Sequence, residues 1–225
     1  MQKHTLFRFK TNEHLAAAVA SDILYRAYHK IAQTGRFKLV LAGGSTPKLV
    51  YQLLSQAEAE WDKWWIFWGD ERCLPVDDAE RNSLMAREAW LNHVAIPKAQ
   101  IFPMAAEQGA AQGADDYAEK IAPFLPFDGV LLGMGEDGHT ASLFPTHQHA
   151  ENETVHAVYH SPKPPSDRVS LSAKVLSDAD EVLFLISGAG KQDAYKLWQQ
   201  GADLPVAQIQ PKNGIKIYAD EAALA

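Results

Sequence analysis

The sequence predicts an α/β fold: a single domain with a mostly parallel, Rossmann-like sheet and helices on both faces. Three observations point there. Short apolar runs recur at Phe37 to Ala42, Trp64 to Trp68, Val130 to Leu132 and Val182 to Ile186. A glycine follows each run, at Gly43, Gly69, Gly133 and Gly188. Segments with helical spacing lie between or after these runs. Strands that are apolar throughout have both faces covered, as in a parallel sheet between helices.

Leu6 to Phe9 reads as a short first strand, and Thr11 or Asn12 as the N-cap of a helix over His14 to Gln33. In that helix Leu15, Val19, Ile23, Leu24 and Ala27 recur on one face, and Gly35 ends it. After the Phe37 to Ala42 strand, Gly43 and Gly44 form a turn, with Pro47 expected at the first position of a second helix running to Leu54. Further helices are expected near Ser83 to Leu91, Gly113 to Ile121 and Lys191 to Gln200. The Pro-rich stretch Ser161 to Pro165 reads as a loop, and with no repeat or low-complexity linker, residues 1–225 read as one domain.

The composition of the 225 residues, 47% hydrophobic and 22% charged, is that of a soluble globular chain long enough to build a single core. A net charge of −7 repels phosphate backbones and anionic headgroups, so neither nucleic acid nor membrane is an expected partner. No run approaches the roughly 20 apolar residues of a bilayer span, and the N-terminal stretch lacks an apolar run of signal-peptide length. The single cysteine, Cys73, excludes an internal disulfide and fits a reducing compartment, so the cytoplasm is expected. An anionic ligand of so acidic a chain must be held by a few placed cations and backbone N–H groups.

Ligands of such sheets sit beyond the carboxyl ends of the strands, so the segments after each strand carry the chemistry. In Gly43-Gly44-Ser45-Thr46-Pro47 two glycines let the backbone approach a ligand while a helix N-terminus points N–H groups at it, which makes a phosphate cradle. A plain strand-to-helix turn with Ser45 or Thr46 as N-cap fits the local pattern equally well. Trp68-Gly69-Asp70-Glu71-Arg72 places two carboxylates and a guanidinium after a strand, where charges must be paired or face a ligand. A structural Asp–Arg pair is the plainer alternative. Trp61, Trp64, Trp65 and Trp68 read as packing.

Leu131 to Pro145 is the most informative stretch. It holds Gly133, Gly135 and Gly138 in the spacing of a dinucleotide loop, but Pro145 interrupts the long helix that should follow, so no nicotinamide cofactor is expected. The loop instead presents Asp137 and His139 at a strand end, a base suited to neutral pH beside a carboxylate that can orient it. Arg168 with Ser170, and Lys191 of Ser187-Gly188-Ala189-Gly190-Lys191, supply cations for a phosphate. The latter string is no nucleotide P-loop, since Leu185 stands where that motif needs glycine. His147, His149, His156 and His160 lack carboxylate or cysteine at a ligand spacing, so they read as loop or surface histidines, with no metal.

Taken in order, Gly43 to Pro47, Trp68 to Arg72, Gly133 to Pro145, Arg168-Val169-Ser170 and Gly188 to Lys191 resemble the 6-phosphogluconolactonases, which share a fold with the glucosamine-6-phosphate isomerases. The resemblance implies phosphate binding by Gly43, Gly44, Ser45 and Thr46 with Arg168 and Lys191, and catalysis by His139 supported by Asp137 and Arg72. It implies hydrolysis of 6-phospho-D-glucono-1,5-lactone to 6-phosphogluconate in the oxidative pentose phosphate pathway, without a cofactor, by a monomer or a homodimer. Two positions depart from the family: Ser170 where threonine is common, and Arg81 before Asn82 where serine is common. The rival within the family is an isomerase using Asp70 as base. Such isomerases carry glutamate before the proline of the histidine motif, and here that residue is Phe144. A non-catalytic sugar-phosphate sensor would lack the Asp137 and His139 pair.

Overall fold

The computed structural model describes residues 2–150 and 152–225. Along the chain run β1 (His4–Phe9), α1 (Asn12–Thr34), β2 (Phe37–Leu41), α2 (Ser45–Leu54), β3 (Trp64–Trp68), β4 (Asp70–Arg72), α3 (Asn82–Ala86), β5 (Ile101–Phe102), α4 (Ala110–Ile121), β6 (Gly129–Gly133), β7 (Val155–Val158), β8 (Arg168–Leu171), α5 (Ala173–Ser177), β9 (Glu181–Ile186), α6 (Gln192–Gln199), β10 (Ile215–Asp220) and α7 (Glu221–Leu224). Seven strands form one parallel sheet in the order β1-β10-β9-β6-β2-β3-β5. From β2 the chain steps to β3 on one side, and from β6 it steps to β9 on the other. The order therefore reverses between β2 and β6, and a crevice opens there beyond the strand ends.

All of β2 is buried, and since successive side chains point to opposite faces, both faces are covered. One cover is α1, which buries Leu15, Val19, Ile23 and Ile31 on a single stripe. Each such side chain contributes roughly 1.5 to 3 kcal/mol on burial. Thr11 caps this helix by accepting the His14 N–H at 3.4 Å, and Gly35 closes it in the left-handed region at φ 77. The tryptophans pack as expected: Trp64 and Trp68 are buried, and Trp61, Trp64 and Trp90 meet ring against ring.

The second helix corrects the sequence expectation. It starts at Ser45 with Gly44 as N-cap, not at Pro47, because the first turn's N–H groups have no partner within the helix and proline is tolerated anywhere in that turn. A second, antiparallel sheet of order β4-β8-β7 was not anticipated. It sets Asp70 opposite Ser170 and Arg72 opposite Arg168.

Two buried tyrosines finish the strand ends nearest the crevice. Tyr51 of α2 accepts the Ala42 N–H at 3.0 Å and donates to the Ala42 carbonyl at 2.8 Å. Tyr117 of α4 does the same for Trp68, at 2.8 and 3.2 Å.

Candidate active site

The crevice holds a cavity of about 290 Å3 at the carboxyl ends of β2, β3 and β6. Gly43, Gly44, Asp70, Arg72, His139, Arg168 and Lys191 all line it. Ser45 and Thr46 do not: Ser45 is exposed, Thr46 is buried in the first turn of α2, and Gly44 caps that helix without a side chain. The turn's contribution is thus backbone.

His139 stands on the loop after β6. Its Nδ1 lies 2.5 Å from Asp137 Oδ1, which also accepts the His139 backbone N–H at 3.2 Å. A carboxylate can only accept, so Nδ1 carries the proton and Nε2 is left as the basic nitrogen. The loop must come close to allow this: a Cβ on Gly135 would lie 2.0 Å from His139 Nδ1. Burial pushes the His139 pKa below the usual histidine value, against the opposing pull of Asp137. Burial resists ionisation of Asp137, but the hydrogen bond and charge of His139 outweigh it and hold the carboxyl below its ordinary value. Phe144, itself buried, packs on the imidazole with ring centroids 4.8 Å apart.

Asp70 faces the same cavity but is held from behind. Its Oδ2 accepts the Ser142 hydroxyl at 2.6 Å and its Oδ1 accepts Asn82 Nδ2 at 3.3 Å. Ser170 extends this network by accepting the Ser142 N–H at 3.2 Å and donating to the Leu171 carbonyl at 3.1 Å. The position that departs from the family thus keeps a working hydroxyl. Neighbouring Glu71 is fully buried and structural, and no ion pair joins Asp70 to Arg72 among the described residues.

Arg72, Arg168, Lys163 and Lys191 line the same cavity. Arg72 and Arg168 face each other across an antiparallel pair, where like charges repel unless something anionic lies between them. Arg168 Nε and Nη2 donate to the carbonyls of Pro165, Lys163 and Pro164, and its guanidinium stands 5.6 Å over the Phe144 ring. Arg168 therefore also shapes the loop before it. Burial lowers the pKa of Arg168 and of Lys191.

Two lining residues went unread in the sequence. Lys163 comes from the proline-rich loop, where prolines on both sides fix the backbone and aim a lysine at the cavity. Asn82 Oδ1 lies beneath the first glycine turn, where a Cβ on Gly43 would approach it to 2.0 Å. The histidine expectation needs one correction: His156 is buried in β7, paired with Glu153 at 2.7 Å and stacked on His149 at 4.3 Å, so it is no surface residue. No cluster of three or more His, Cys, Asp or Glu suited to a metal occurs among the described residues.

Fold and site together define a doubly wound α/β protein with a histidine–carboxylate pair and four cations at the switch point of its sheet. The chain belongs to the glucosamine-6-phosphate isomerase/6-phosphogluconolactonase family, whose model matches residues 10–218. A 6-phosphogluconolactonase of Mycobacterium tuberculosis is 42% identical over 212 residues, covering 87% of this chain and 85% of that protein. The crystal structure of 6-phosphogluconolactonase from Thermotoga maritima superposes with a TM-score of 0.91 at 25% identity, over 97% of this chain and all of that one. The enzyme of the same name from Trypanosoma brucei gives a TM-score of 0.86 at 31% identity, over 99% and 98% of the two chains.

Proposed function

We propose that this chain hydrolyses 6-phospho-D-glucono-1,5-lactone to 6-phosphogluconate with His139 as its general base. Nε2 of His139 takes a proton from water as the water oxygen bonds to the lactone carbonyl carbon. The ring carbon–oxygen bond then breaks, and the imidazolium returns the proton to the departing ring oxygen. Asp137 holds the ring's tautomer and steadies its charge. Arg72 stabilises the oxyanion, a contribution of about 3 to 4 kcal/mol per donor in other enzymes.

The phosphate lies among Arg168, Lys163, Lys191 and the Gly43-Gly44 turn, converting affinity into orientation of the lactone. No cofactor is needed, because ring opening requires only water, a base and charge stabilisation. The observation that carries this reading is the His139–Asp137 pair, 2.5 Å apart, opening onto the same cavity as four cations. Against an isomerase, Asp70 is tied to Ser142 and Asn82, and buried Phe144 occupies the position of the isomerases' extra acid.

The same reading takes residues 1–225 as one lactonase domain in the cytoplasm. One hydrophobic core that unites residues of both sheets supports the first point, and the lone cysteine supports the second. No described helix is long and apolar enough to cross a membrane. The test is proton release from the lactone beside ammonia release from glucosamine 6-phosphate. Lactone turnover above the spontaneous rate with no ammonia is expected; ammonia without lactone turnover would overturn the reading.

A further inference from the structure

Arg81 is 2% exposed, yet it lies outside the cavity. An interior guanidinium is tolerated only when its charge is met and its donors are bonded. Here Nη1 donates to the Leu74 carbonyl at 3.0 Å and to Glu107 Oε2 at 2.8 Å, and Nη2 donates to the Met104 carbonyl at 2.8 Å. Nε makes no hydrogen bond, but it stands 3.4 Å from Oε2 of Glu71, a carboxylate with no exposure at all, which meets the charge.

Glu71 in turn grips both ends of one loop. Its Oε1 accepts the backbone N–H of Arg72 at 2.9 Å and of Asn82 at 2.8 Å, and its Oε2 accepts that of Ser83 at 2.8 Å. The segment from Arg72 to Asn82 is therefore drawn into a closed loop around one buried carboxylate. Arg81 neutralises that carboxylate and pins the loop to the 104–107 segment. The guanidinium of Arg72 depends on the same loop, because its Nη1 donates to the Glu80 carbonyl.

We infer that Arg81 is a positioning residue that, through Glu71 and the 72–82 loop, fixes the Arg72 guanidinium at the cavity before substrate arrives. The inference rests on the proposed reading that Arg72 stabilises the oxyanion. Arg81 touches no substrate, so its loss acts on kcat through misplacement of Arg72. The phosphate contacts of Lys163 and Lys191, on other segments, leave KM little changed.

The experiment is a double-mutant cycle on the full chain between Arg81→Lys and Arg72→Ala, with kcat and KM for the phosphorylated lactone and a thermal melt for each protein. Lysine keeps the charge against Glu71 and loses the planar fork. Arg81→Lys alone is expected to lower kcat by about tenfold, within the range seen for ångström misplacements, while KM moves less than about threefold. In the Arg72→Ala background the same change should do nothing further to kcat, since residues acting as one unit are not additive. A normal kcat in Arg81→Lys, or an equal loss in both backgrounds, overturns the inference while leaving the lactonase reading intact. A normal kcat in Arg72→Ala removes Arg72 from the mechanism and the inference with it. If Arg81→Lys fails to fold, Glu107→Gln, which loosens the outer anchor of Arg81, takes its place in the cycle with an expected loss of about threefold and the same two deciding outcomes.

Discussion

Beside the cavity the chain builds the same strand, glycine turn and helix start twice, and closes only one of them. After β2, the Gly43-Gly44 turn leads into α2 with no side-chain cap, and both glycines line the cavity. After β9, the Gly188 N–H donates to Asp220 at 3.0 and 3.2 Å, and the Ser187 hydroxyl donates to the same carboxylate. Asp220 is buried and also caps α7 through the Ala223 N–H at 2.9 Å. An internal anion thus satisfies the second turn, and only the Lys191 side chain reaches the cavity. The two turns look alike in sequence; what separates them is an acid that arrives from β10.

The largest effect sets the scale for both turns. His139→Ala should lower kcat by about 10² to 10⁴ while product affinity stays normal, as measured above the spontaneous background with a separate binding titration. A near-normal kcat in the folded variant would move the base to Asp70, since buried Glu71 is committed to the loop.

Removing groups proposed to hold the phosphate comes next. Gly43→Ala drives a methyl into Asn82, and Lys191→Ala removes a cation, so each should raise KM for the phosphorylated lactone by about tenfold or more. Steady-state kinetics beside an unphosphorylated lactone decides it, because preference for phosphate should shrink in both. Arg168→Ala should lose that preference too and melt earlier, as its loop contacts go with it. Retained preference in all three variants would place the phosphate elsewhere.

Apart from Lys191, which lines the cavity, the closed turn should respond in stability alone. Gly188 has φ 94 with nothing near a new Cβ, so Gly188→Ala costs about 1 to 2 kcal/mol of backbone strain. Asp220→Asn should melt a few degrees earlier, and KM for either variant should stay within about twofold of the parent. A tenfold rise in KM at Gly188 would erase the distinction between the turns.

The smallest effect is in pH. With His139 as the proposed base, its neutral form is the active one, and burial holds its pKa below the ordinary 6.5, so kcat/KM should stay flat down through that value and fall only beneath it. Asp137→Asn removes the opposing pull and should shift the limb lower still, at a smaller cost in kcat than His139→Ala. In linkage terms the folded chain takes up this proton less readily than the unfolded one. His139 therefore costs stability as pH falls through 6.5 toward its folded pKa, and nothing above.

The parallel sheet was legible because its strands are apolar on both faces, and the candidate catalytic loop because glycines and an acid surround one histidine. The small sheet was hidden by its own function. In β8, Val169 and Leu171 join the hydrophobic core while Arg168 lines the cavity and buried Ser170 bonds to Ser142, so the strand's polar half reads as loop. What Arg81 does could not be read from its departure from the family, because its partners Glu71, Leu74, Met104 and Glu107 meet it only in the fold. Ser45 and Thr46 were named because the resemblance carries the whole Gly43 to Thr46 loop to the phosphate, whereas only the two glycines line the cavity.

The two tyrosine hydroxyls have a mechanical meaning. β2 pairs with β6 only at Leu39 and Val40, and β3 pairs with β5 only at Ile66 and Phe67. Beyond those rungs Ala42 and Trp68 each keep an N–H and a carbonyl that a longer ladder would have claimed, and a buried unpaired group costs about 1 to 3 kcal/mol. Tyr51 and Tyr117 each settle both groups with one oxygen. The sheet can therefore end at Ala42 and Trp68 with the outward backbone groups of both satisfied by side chains from helices rather than by a further strand.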